Sequence, residues 1–258
     1  MVIRNLLIIF ILVLLGFSSN SFAKSRLNEI LESGTLRVGT TGDWNPMTIK
    51  DPATNKYKGF DIDVANELAK DMGVKLEFVP TEWKTLVAGI IANKYDISTS
   101  ASLNAKRALS AGYSDSYLNV YQVPLTLKKN LNKFSDWEDI NKSEVKLAVT
   151  LGTVQEQMAK DFFPNAQITT IEAPARDFQV VLSGRAEVSM TSNIEAATLV
   201  KQYEELVIIP VKEERNPTPL AWLTPQDDQV WINYINHWIE LKKSHGFFEK
   251  MKKKWNLN

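Results

Sequence analysis

A chain of 258 residues with a hydrophobic share of 44% can bury its own core, and its lack of cysteine excludes disulfides, thiolate metal sites and a lipid-carrying leader cysteine. Lys and Arg number 30 against 30 Asp and Glu, with no basic stripe, which excludes nucleic acid as a partner. The only histidines, His237 and His245, fall together near the C-terminus, which removes most Ser-His, Cys-His and His-rich metal arrangements.

Arg4 precedes an apolar run over 6–15, and Ser21-Phe22-Ala23 follows a short polar stretch. This pattern predicts a signal peptide over 1–23, cleaved after Ala23. The run is roughly half the length that spans a bilayer, so no membrane anchor is expected.

The mature chain opens with a helix over 25–34, stopped by Gly34, and a strand over 35–39 that leaves through a loop at 40–46. Ile62, Ala65, Leu68, Ala69 and Met72 share one face of a helix over 59–73 that ends at Gly73. A strand over 74–79, a helix over 83–92 and a strand over 95–99 follow. Such alternation predicts a mainly parallel sheet covered by helices.

After a strand over 121–127 a second set begins: strands over 145–150, 168–171 and 187–190 alternate with helices over 154–162, 175–183 and 194–202. A last strand over 220–223 leads into a helical region over 230–255, whose Lys252-Lys253-Lys254 suits a solvated helix end. These are too many units for one small sheet. The order predicts two α/β lobes joined by two chain crossings, with 24–127 and 216–258 in the first and 128–215 in the second.

At this point the motifs become recognisable. Leu36-Arg37-Val38-Gly39-Thr40-Thr41-Gly42-Asp43-Trp44, Gly59-Phe60-Asp61-Ile62-Asp63, Pro80-Thr81-Glu82-Trp83, Tyr95-Asp96-Ile97, Arg107, Gly152-Thr153 and Met190-Thr191 through Glu195-Ala196 carry the resemblance. Together the chain resembles extracellular solute-binding proteins of the polar amino acid type, in the branch that contains periplasmic cyclohexadienyl dehydratase. The resemblance implies an α/β, type II periplasmic binding fold: two Rossmann-like lobes, two hinge crossings and a cleft that closes on a small carboxylate. It also implies a monomer in the periplasm, without cofactor, that delivers its solute to an ABC transporter permease.

By the same resemblance, Arg107 grips the solute carboxylate, a role that suits its planar fork of donors. Thr99, Ser100 and Ser102 complete the grip, and Gly152-Thr153 offers an amide and a hydroxyl at a helix N-terminus. Asp43, Trp44 and Trp83 line the first lobe's wall. Glu195 matches the general acid of the dehydratase, so that activity is the alternative to solute capture.

Three positions depart from the pattern. The enzymes carry lysine where this chain has Gln122 and asparagine where it has Val154, and both losses weaken a catalytic reading. Amino-acid receptors carry aspartate where this chain has Ser192, so an α-ammonium loses its expected partner.

Overall fold

A computed structural model describes residues 24–257. The leader expected over 1–23, with its cleavage site, lies outside the described residues.

Helix α1 (Arg26–Ser33) is capped by the Ser25 hydroxyl, which accepts the Leu27 N–H, and stops at Gly34 with φ 66°. Strand β1 (Thr35–Thr40) follows. The stretch expected as a plain loop then folds into a small antiparallel sheet of β2 (Asp43–Trp44), β3 (Thr48–Lys50) and β4 (Tyr57–Lys58). Backbone pairing of Asp43 with Ile49 and of Trp44 with Thr48 fixes where these two side chains sit.

Helix α2 (Phe60–Met72) starts at Gly59, where φ is 140° and an added Cβ would lie 2.2 Å from the Met47 carbonyl oxygen. Only glycine fits there. Strand β5 (Lys75–Pro80), a 3-10 turn (Trp83–Thr85), α3 (Leu86–Ile91), β6 (Ile97–Ser102), α4 (Ala105–Ala108) and β7 (Gly112–Tyr113) complete the first run. Tyr95, expected to begin a strand, instead turns inward and donates from its hydroxyl to the Leu86 carbonyl at 2.7 Å.

The long strand β8 (Leu118–Leu127) leads to β9 (Lys146–Thr150), α5 (Val154–Phe162), β10 (Gln167–Ile171), α6 (Asp177–Leu182), β11 (Val188–Ser192), α7 (Asn193–Gln202) and β12 (Leu206–Ile208). Strand β13 (Arg215–Thr224) is ten residues, well beyond the expected 220–223. The C-terminal helical region breaks at Gly246, φ 69°, into α8 (Gln229–Ser244) and α9 (Phe247–Trp255).

The main sheet runs β10-β9-β11-β8-β13-β6-β1-β5, with β12 added beside β8 and β7 beside β13. Its flanks are parallel, but β8 and β13 are antiparallel to each other and to their outer neighbours β11 and β6. The two lobes therefore share one hydrogen-bonded sheet. The crossings supply the reason: two strands that pass between lobes in opposite directions pair directly as antiparallel neighbours. Gln122 faces Arg215 on one side and Ser192 on the other, where β8 changes partner.

One apolar cluster draws Leu36, Val38, Phe60 and Leu68 together with Trp222, Trp231 and Phe248 from near the other end of the chain. Two others pack around Leu147, Val149, Phe163 and Met190, and around Leu125, Val181, Leu199 and Leu206. Each fully buried aliphatic side chain contributes roughly 1.5–3 kcal/mol of transfer free energy. Ile194 of α7 packs into the first cluster, so the second lobe rests on the first.

Candidate functional site

Between the lobes lies a small cavity of about 30 Å³, which has to widen to admit a solute of ordinary size. Of the residues expected there, Trp44, Trp83, Ser100, Ser102, Arg107, Thr153 and Glu195 line it. Thr150, Gln155, Arg176, Asp177, Met190 and Thr191 line it as well, none of them foreseen in a site role.

The first lobe's wall hangs on Asp43. Its carboxylate accepts the Trp83 indole N–H at 3.0 and 3.2 Å. Trp44 and Trp83 meet edge to face, with centroids 5.9 Å apart, a favoured aromatic geometry. Asp43 thus stands behind the wall and orients it.

The end of β6 is set by Asp61, the central acid of the Gly-Phe-Asp-Ile-Asp motif. Asp61 is fully buried and accepts the Ser100 hydroxyl and, at 2.9 Å, the Tyr117 hydroxyl. Burial pushes its carboxyl up to about 6, while the Ser100, Tyr117 and Thr99 hydroxyls act to lower it. Ser100 takes φ 55° and its amide donates to the Tyr117 oxygen at 3.0 Å. The hydroxyls of Thr99 and Ser100 therefore hold the end of β6 in shape, and Thr99 does not line the cavity.

Arg107, on α4, reaches across the cleft and donates from Nη2 to the Gly152 carbonyl at 2.9 Å. The turn beneath that carbonyl is satisfied internally. The Gly152 amide donates to Glu156 Oε2 at 2.8 Å, and the Thr153 hydroxyl donates to the Thr150 carbonyl while accepting the Glu156 amide. Gly152 itself has φ 80°, and an added Cβ would lie 2.4 Å from Lys84 Cα. A close approach between the lobes requires glycine here.

Gln122 and Ser192 sit behind the cavity lining. Gln122 Oε1 accepts the Gln155 side-chain amide at 2.8 Å, and its own amide donates to the Thr218 hydroxyl at 3.4 Å. Ser192 is buried and caps α7 by accepting the Glu195 amide at 3.3 Å.

The feature that sequence reasoning missed is Arg176. It is the cap residue of α6 and 7% exposed. Its Nη2 donates to Glu195 Oε1 and Oε2 at 3.1 and 3.0 Å, its Nε to the Thr150 hydroxyl at 3.3 Å, and its Nη1 to the Asp43 carbonyl across the cleft. Asp177 Oδ1 lies 3.8 Å from Nε and accepts the Thr150 hydroxyl at 2.9 Å. A cation at a helix N-terminus opposes the dipole, and that oddity was the available signal.

Burial pushes the Glu195 carboxyl up to about 7; Arg176 and the Thr191 hydroxyl lower it, and Asp177 and Asp43 raise it further. Asp177 is likewise raised by burial and lowered by Arg176. For Arg176, burial works against the charge, but Glu195, Asp43 and Asp177 outweigh it and hold the guanidinium protonated.

Known proteins share this architecture. Residues 36–258 match the model of the bacterial extracellular solute-binding proteins, family 3. The chain is 32% identical to the cyclohexadienyl dehydratase of Pseudomonas aeruginosa, over 95% of this chain and 91% of that one. It is 24% identical to a probable amino-acid ABC transporter-binding protein of Haemophilus influenzae, over 93% and 92% of the two chains. The crystal structure of an ancestral amino acid-binding protein, a precursor of cyclohexadienyl dehydratase, superposes with a TM-score of 0.83 at 39% identity, covering 90% of this chain and 99% of that one. With its two lobes, paired crossing strands and interlobe cavity, the chain belongs to the bacterial extracellular solute-binding proteins, family 3.

Proposed function

We propose that this protein captures a small carboxylate-bearing solute in its cleft and hands it to the permease of an ABC importer. The lobes, 24–127 with 216–258 and 128–215, would hinge about β8 and β13. The observation that carries this reading is Arg107, which borders the cavity from the first lobe while touching Gly152 of the second. A neutral carbonyl engages only part of its fork, and a carboxylate is the stronger acceptor for the rest. A solute bound there adds contacts to both lobes, and only contacts that differ between open and closed forms shift the balance.

The Haemophilus relative's name and the ancestral amino acid-binding protein support transport of amino-acid-like solutes. We place the mature protein in the periplasm as a monomer, released by cleavage after Ala23. A thermal-shift panel of amino acids and organic acids tests the reading, since a solute that binds only the native state raises the melting temperature. A panel in which no carboxylate produces a shift overturns it.

One observation favours a second reading. Glu195 lines the cavity with a carboxyl raised to about 7, as a general acid near neutrality requires, and the Pseudomonas relative is a cyclohexadienyl dehydratase. Against it stand Val154 on the cavity wall and Gln122 held by Gln155. Phenylpyruvate formation from prephenate, abolished by Glu195→Gln, would reverse the order.

A further inference from the structure

Three carboxylates, those of Asp43, Asp177 and Glu195, converge on one point at the floor of the cleft, a donor set that suits a cation. A cation is already seated there: the guanidinium of Arg176. We infer that Arg176 is a tethered occupant of the cleft's cation seat, so that the protein takes carboxylates without a basic side chain and rejects arginine- and lysine-like solutes. This rests on the solute-binding reading and names its class of solute.

The seat is filled firmly. Arg176 spends its donors on Glu195, Thr150 and the Asp43 carbonyl, and its own amide donates to the Gln179 side chain at 2.9 Å. Swinging the guanidinium out would leave buried carboxylates with no counter-charge, a costly state.

Among the described residues, no second cation seat stands open on the wall. The acids that line the cavity are Asp177 and Glu195, and both belong to the Arg176 cluster. Ser192 offers no charge, and its hydroxyl is taken up as the cap of α7. A basic solute side chain would lie beside Arg176 in a buried site, where bulk water screens like charges least.

The approach to the cavity has the complementary sign. In the outer cleft Lys84 pairs with Glu82 and Glu172 and Lys160 with Glu156, so the positive surplus that favours anions there is small and rests on Lys106 and Arg107.

Titration calorimetry on the wild-type protein and on Arg176→Ala tests the inference, with arginine, lysine, glutamate, glutamine and organic acids as titrants. The wild type should bind at least one carboxylate that lacks a basic side chain, and neither arginine nor lysine. Arg176→Ala should melt lower and be rescued by millimolar guanidinium chloride but not by sodium chloride at equal ionic strength. The variant should also gain arginine affinity by about tenfold or more.

Arginine or lysine binding to the wild type as tightly as other carboxylates overturns the inference and leaves the solute-binding reading standing. A wild type that binds no carboxylate removes that reading, and the inference with it. Should Arg176→Ala not fold, Arg176→Lys decides: retaining the charge, it should still refuse arginine, and arginine binding by it overturns the inference.

Discussion

Arg176 and Glu195 face each other across the floor of the cleft, with Nη2 at 3.1 and 3.0 Å from the two carboxylate oxygens. The pair is buried on both sides. Burial raises Glu195 from 4.5 to about 7 in spite of Arg176, so desolvation outweighs the pairing.

That balance sets a pH dependence. A carboxyl raised on folding binds its proton more tightly in the native state, so its contribution is fully present below the unfolded value of 4.5. It fades as pH rises toward about 7 and is absent above. Asp61, raised from 3.8 to about 6, acts in the same direction over a lower window. Between about pH 5 and pH 8 the wild type should lose stability on the order of 2 kcal/mol through Glu195, and Glu195→Gln should flatten that slope. Denaturant titrations of both proteins across this range measure it, and equal slopes would assign the titration to another group.

Where the site follows local motifs, it could be read from the chain. Arg107 stands shortly after the strand end that positions it, and Glu195 stands in the first turn of a helix whose apolar face is plain. Arg176 offers no such local context. Its partners Asp43 and Glu195 come from a small sheet near the start of the chain and from α7, and only the tertiary fold brings them together. The same holds for Ser100, whose hydroxyl is claimed by Asp61 from α2. Local periodicity also showed the alternation of strands and helices but not the single sheet that joins them, because strand pairing between β8 and β13 links segments nearly a hundred residues apart.

Arg107→Lys should reduce solute affinity by about tenfold to a hundredfold without unfolding the protein. Arg107 is half-buried and its partner is a single backbone carbonyl, so little of the fold depends on it. Lysine keeps the charge but loses the planar fork. Calorimetry on the variant, with melting temperature as the control for folding, reads the difference. Unchanged affinity would move the carboxylate grip elsewhere.

Trp83→Phe isolates one hydrogen bond. Phenylalanine keeps the aromatic contact with Trp44 but drops the indole donor to Asp43, leaving a half-buried carboxylate with one partner fewer. A cost of about 1 kcal/mol in stability is expected. Trp83→Ala should cost more and weaken solute binding, because the wall itself is removed. Equal effects from the two variants would mean that the indole N–H, not the ring, carries Trp83's role.

Gly152→Ala separates closure from capture. The backbone holds φ 80°, which costs an L-residue about 1–2 kcal/mol. The greater obstacle is spatial, because the new Cβ would lie 2.4 Å from Lys84 Cα and 2.5 Å from its amide nitrogen. Both are backbone atoms of the other lobe, so no side chain can yield. The open form has no such encounter if the lobes hinge about β8 and β13. The variant should therefore lose only the backbone cost in melting temperature, while solute affinity falls by about tenfold or more as closure is blocked. Small-angle scattering should show the wild type contracting on saturation with a bound carboxylate and Gly152→Ala remaining extended. A variant that contracts like the wild type would mean that the lobes do not approach each other at Gly152.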